Sequence, residues 1–122
     1  MQRTSEIDQA MPKSLMLGEF EHLALLAIAR LGAAAHASAI RVEIAAATDR
    51  PGTRGALYRT LDRLETKGFL SWKLEEGVPR RGGNPRRCFA VTTEGVAALK
   101  ACRVVFTTMW TGLDHLFDES SK

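Results

Sequence analysis

The chain concentrates its basic residues. Between Arg50 and Arg87 ten arginines and lysines face only four acids, a local charge of +6. The remaining seven basic and ten acidic residues leave −3 elsewhere. A guanidinium is a planar, permanently charged fork that matches phosphate oxygens or a guanine edge with two parallel hydrogen bonds. Four such groups come as two pairs, Arg80-Arg81 and Arg86-Arg87, around Gly82, Gly83, Asn84 and Pro85. A second set, Arg54, Tyr58, Arg59 and Arg63, recurs at four- and five-residue steps just upstream. So much like charge needs open water or a polyanion, and the asymmetry favours a polyanion surface.

Other chemistry is not expected. His22, His36 and His115 are far apart and lack metal-ligand spacing. No GxSxG, Walker glycine loop or clustered carboxylate pair occurs, so an enzyme is not the reading. Cys88 and Cys102 show neither CxxC spacing nor a neighbouring His cluster, and are expected to be reduced, structural thiols. Arginine neighbours would favour the Cys88 thiolate, which leaves oxidant sensing as a minor second reading. No cofactor and no metal are expected. No apolar run is long enough to span a bilayer, and the opening MQRTSEIDQAMPKS is too polar for a secretory leader. The expected location is cytoplasmic, with no membrane partner. At 122 residues the chain suits one domain with a modest core.

Which elements would hold these arginines? Residues 1–14 lack periodicity and read as a flexible arm. Residues 17–31 are apolar around much of a helix, with Leu17, Phe20, Leu23, Ala24, Leu26 or Ala27, and Leu31 at three- and four-residue steps. Gly32 is the expected stop. Residues 37–49 make a second helix, capped by Ser38 or a neighbour, with Ile40, Ile44 and Ala47 inward and Arg41 and Glu43 outward. Residues 53–67 make a third, with Thr53 as N-cap, Leu57, Leu61 and Leu64 as its buried stripe, and Gly68 just past its end. Phe69–Gly77 alternates as a strand, and Arg87–Thr92 reads as its return, so the paired arginines sit on the hairpin's loop. From Thr93 a helical pattern runs to about Phe117. The expected architecture is mainly α with a small β-hairpin. A winged helix-turn-helix over residues 15–92 is followed by a long C-terminal dimerisation helix over residues 93–118.

Three local stretches carry a family resemblance. LGEFEHLALLAI, GALYRTLDRLETKGFL and GGNPRRCFAVTTEG together resemble the first helix, the recognition helix and the wing ending of PadR-like transcriptional regulators. The likeness covers roughly residues 15–117 and fits the short members with one C-terminal helix. The chain departs from the family pattern where Ala37 and Ser38 follow His36, where Cys88 precedes Phe89 in place of paired aromatics, and where Gly95 comes one residue early.

The winged-helix order and the resemblance together assign roles. Thr53, Arg54 and Gly55 lie at the start of the third helix, which enters the major groove; Arg54 is placed for a bidentate guanine contact. Tyr58, one turn on, is a phosphate or base contact. Arg59 and Arg63 reach for backbone, unless Arg63 pairs with Glu65. Arg80, Arg81, Arg86 and Arg87 of the wing meet phosphate, with Arg87 the most structural of the four. Leu99, Phe106, Met109, Trp110, Leu113, Leu116 and Phe117 form an apolar surface too large for so small a core, and are expected to pair with a second copy. The expected function is a DNA-binding repressor acting as a homodimer on a partly palindromic operator in double-stranded DNA. The alternative is a small-molecule-sensing or protein-interaction winged-helix module, with an effector held at an apolar site between the terminal helices.

Overall fold

The Leu-rich stretch forms α1 (Glu19–Leu31) and becomes the centre of the core, with Ala24, Leu25, Ala27 and Ile28 all buried. The computed structural model describes residues 17–50, 52–75 and 85–120. The expected N-terminal arm therefore lies outside the described residues. At the alternative position of the α1 stripe Ala27 points inward, whereas Leu26 is 41% exposed. Gly18 has no side chain to cap α1; instead the Glu21 carboxylate accepts its N–H at 2.9 Å. At the other end Gly32, at φ +57, turns the chain into a short 3-10 turn, Gly32–Ala34.

Helix α2 (Ala37–Thr48) follows from an N-cap position held by His36, not Ser38, and without a side-chain cap. Ile40 and Ile44 are buried as expected. Ala47 is exposed, and Arg41 and Glu43, expected outside, are half-buried. The helix ends on Asp49 in a left-handed conformation. Helix α3 (Arg54–Thr66) starts where Thr53 accepts the Ala56 N–H at 3.0 Å, and buries Leu57, Leu61 and Leu64. Its end is a Schellman turn about Gly68 (φ +84): the Phe69 N–H reaches the Leu64 carbonyl and the Gly68 N–H that of Glu65.

Strands β1 (Leu70–Glu75) and β2 (Arg86–Val91) pair antiparallel, in a register from Leu70 opposite Val91 to Glu75 opposite Arg86. Both are slightly offset from the expected spans. The inner face carries Leu70 and Phe89 into the core. On its free edge β2 binds the chain once more, since the Phe89 N–H donates to the Ala35 carbonyl at 2.9 Å. The hairpin is thereby fixed to the segment between α1 and α2.

Helix α4 (Thr93–Trp110) is capped by Thr92, which also donates to the Gly68 carbonyl. Gly95 lies so close to β1 that a Cβ there would stand 2.1 Å from the Phe69 carbonyl oxygen. The single terminal helix expected to Phe117 is broken. Helical hydrogen bonding stops at Trp110, Gly112 takes φ +85, and a short α5 (His115–Ser120) follows. Glycine is what permits that backbone, and the apolar spacing on either side gives no warning of it. The turn brings the Trp110 and Phe117 rings to 5.3 Å between centroids. Among the described residues no helix is long and apolar enough to cross a membrane.

Candidate nucleic-acid interface

Arg54, Arg86 and Arg87 of the basic stretch, with Arg41 from before it, line a groove of about 660 Å³. Its walls are the start of α2 (His36, Ser38, Arg41), the start of α3 (Arg54, Tyr58) and the wing (Pro85, Arg86, Arg87). Among the described residues four arginines from three elements line it, and no acidic side chain does. Leu57, Leu74 and Phe89 give it an apolar floor.

On α3 the buried leucine stripe forces the opposite face outward, so Arg54, Gly55, Tyr58 and Arg59 are exposed, Tyr58 at 37%. Thr53 is occupied with capping. Gly55 leaves room for the Arg59 side chain; a Cβ there would sit 3.3 Å from its guanidinium nitrogen.

Arg63 is placed apart from these. Its Nε donates to Glu21 at 3.5 Å and its Nη to Thr60 at 3.2 Å, so the alternative pairing with Glu65 is not taken. Glu65 instead accepts the Trp72 indole N–H at 3.0 Å. Glu21 is nearly enclosed and also receives Lys67 through both oxygens, at 3.1 and 2.9 Å. Burial works against its charged form, yet the Lys67 hydrogen bond, the Gly18 N–H, the Lys67 charge and Arg63 together hold its carboxyl below the usual range. This cluster ties the end of α3 to the start of α1, and so orients α3.

On the wing, Arg87 lies over the Trp72 ring, 4.4 Å from its centroid. Arg86 stands opposite Glu75 in the ladder. Arg80 and Arg81 lie outside the described residues.

The structure adds residues that the chain order conceals. Arg41 reaches the groove, donates to the Gly52 carbonyl at 3.0 Å, and buries an Nε that has no acceptor among the described residues. His36 hydrogen-bonds Glu75 at 2.8 Å across the base of the wing. The Glu75 carboxyl is held low first by that bond and further by the charges of His36 and Arg86. Arg41 follows Ser38 by three residues, which puts both on one side of α2. Only the crossing of α2 and α3 makes that side face the groove.

The expected dimer residues form a continuous exposed surface. Phe106, Met109, Trp110, Leu113, Leu116 and Phe117 are each between 37% and 69% exposed, as is Val96. Leu99 differs, since it packs partly on the chain's own core.

The sequence pattern of the transcriptional regulator PadR-like family matches residues 25–101. The chain belongs to the PadR-like family of transcriptional regulators. A PadR-like transcription factor from Bacteroides fragilis shares the fold at a TM-score of 0.63 with 21% identity, over 95% of this chain and 99% of that one. A PadR family transcriptional regulator from Eggerthella lenta superposes at 0.59 with 24% identity, over 96% and 97% of the two chains. MepR of S. aureus, solved as a DNA complex, superposes at 0.56 with 19% identity, over 98% and 88%. At these identities the likeness establishes the winged-helix fold of this PadR-like regulator. No curated protein matches its sequence significantly.

Proposed function

We propose that this PadR-like regulator is a sequence-specific repressor that binds a partly palindromic operator as a homodimer. The observation that carries the reading is the groove where Arg41, Arg54, Arg86 and Arg87 converge, with no acid among its described residues, beside the exposed start of α3. Helix α3 enters the major groove, with Arg54 and Tyr58 at the base edges and Arg59 toward the backbone. The wing lies on phosphate, through Arg80, Arg81 and Arg86, with Arg87 held by Trp72. Arg63 acts chiefly through Glu21, as an orienting group. Two copies meet on the apolar surface of α4 and α5, and their two-fold axis sets the operator's symmetry. A dimer seated on a promoter blocks access to it, which is why repression is the preferred sense.

The test is binding to the DNA immediately upstream of its own gene, at several salt concentrations and with excess unrelated DNA. Competitor-resistant binding with a steep salt slope supports the reading; competitor-sensitive binding there and at other promoters overturns it. Replacing Arg80 and Arg81 together by Ala removes two phosphate contacts per chain, four per dimer, and lowers the slope of log K against log salt by about 3.6. An unchanged slope removes the wing from the interface.

A second reading is favoured by one feature. A hollow of about 450 Å³ between α1 and α4 is lined mainly by apolar groups, among them Leu26, Val96, Phe106 and Trp110. A small apolar effector there would touch both the core and the dimer surface. Quenching of Trp110 fluorescence by an apolar dye, in a Trp72→Phe background, is the matching measurement.

A further inference from the structure

The base of the wing holds a cluster that the chain order hides. His36 closes the turn before α2, Glu75 ends β1 and Cys88 lies in β2. Their donor atoms, an imidazole nitrogen, a carboxylate oxygen and a thiol sulfur, all lie within 4.8 Å of one another. The imidazole Nε2 is already 2.8 Å from the carboxylate. Cys88 is buried, and its thiol donates to the Ala33 carbonyl at 3.3 Å. The His36 side chain is 12% exposed and that of Glu75 37%.

We propose that His36, Glu75 and Cys88 form a site for one divalent transition-metal ion of zinc-like preference, which clamps the base of the wing to the start of α2.

The donor set suits such an ion. Thiolate and imidazole favour borderline and soft cations over magnesium or calcium, and a carboxylate completes three ligands of a tetrahedron. With Zn–S near 2.3 Å and Zn–N or Zn–O near 2.0–2.2 Å, ligand atoms stand about 3.3–3.6 Å apart. The His36–Glu75 pair at 2.8 Å is tighter than that and no pair exceeds 4.8 Å, so side-chain adjustment of about an ångström seats the ion. Carboxylate and thiolate together neutralise the dication. On binding, the Cys88 thiol loses its proton to solvent and gives up the Ala33 carbonyl, while the His36 Nε2–H that donates to Glu75 is exchanged through solvent to Nδ1, which frees the Nε2 lone pair for the metal. The fourth position is left to water.

An entry path exists. Glu75 and Cys88 line a second depression of about 420 Å³ on the outer face of the hairpin, next to Ala33 and Lys73. His36 lines the arginine groove on the other side. The ion would therefore sit in the wall between the two. Three ligands from three segments would replace one His–Glu pair as the tie between wing and helices. Arg86, opposite Glu75, would be held with them. An effect of the metal on DNA affinity rests on the proposed function; binding of the metal does not.

The experiment uses the purified chain without DNA. Cobalt(II) is added as a coloured substitute for zinc, then displaced with zinc(II). One equivalent per chain is expected, with an intense near-ultraviolet thiolate-to-cobalt band that zinc abolishes. The band is expected to survive Cys102→Ala and to disappear in Cys88→Ser and in His36→Gln. His36→Gln keeps the thiol and decides the matter if Cys88→Ser fails to fold. A thermal melt is expected to move upward with zinc in the parent chain and in Cys102→Ala. Absence of the band from the parent chain overturns the proposal and leaves a His–Glu hydrogen bond. Persistence of the band in His36→Gln also overturns it, as does its loss in a folded Cys102→Ala.

Discussion

Among the described residues Arg54 has no hydrogen-bond or ion-pair partner, and it stands at the opening turn of α3 beside the groove. Arg54→Ala is expected to cost about 1–3 kcal/mol of discrimination between operator and a single-base variant, the worth of one bidentate base contact. Competition binding with the two DNAs measures it. Glu21 illustrates the opposite use of charge, since its partners serve the fold. Glu21→Gln is expected to destabilise the chain by about 2 kcal/mol in a urea melt, because hydrogen bonds to a charged group weaken when that charge goes. The folded-state pKa of Glu21 is depressed, so its contribution is fully present above the ordinary carboxylate value and fades as pH falls through the lower, folded one. The Gln variant is expected to lose that part of the acid dependence, read from melts repeated at falling pH.

Among the elements, α3, β1 and α4 are joined at a single crossing. Gly68, Phe69, Thr92 and Gly95 meet there. Thr92 caps α4 while binding both the Phe69 and the Gly68 carbonyls. Gly95 has no room for a methyl group, because the obstacle is backbone rather than a movable side chain. Gly95→Ala is therefore expected to cost about 1–3 kcal/mol in a denaturant melt, the range for forcing extra volume into a packed site. The period of the leucines made α1 and α3 legible, and Thr53 and Gly68 marked both ends of α3. Chain order could not reveal the break at Thr111–Asp114, because the apolar residues continue at helical spacing through it. It could not place Arg41 either, since a side chain's face on a short helix depends on how its neighbours cross.

For the molecule as a whole, the decisive feature is where apolar surface remains. The core closes around α1, whereas the end of α4 and α5 leave Phe106, Met109, Trp110 and Phe117 uncovered. Met109, the most exposed of them at 69%, is the place to test pairing. Met109→Glu puts like charges across the proposed two-fold contact. It is expected to move the sedimentation coefficient from dimer to monomer while leaving the monomer's own melt nearly unchanged. A variant that stays dimeric would place the contact elsewhere.

What the sequence determined by itself is the set of local decisions. Helical and alternating periods, capping threonines and turn glycines act over a few residues, so they declare the helix-helix-helix-hairpin-helix order. The run of arginines likewise declares a concentration of positive charge. Tertiary structure decided which charges act together. Arg63 turned to Glu21, forty-two residues away, and Arg87 settled on Trp72. Arg41 joined the groove, and His36, Glu75 and Cys88 came within bonding reach of one another. A side chain is assigned its partner by distance in space, and distance in space follows from how whole elements pack.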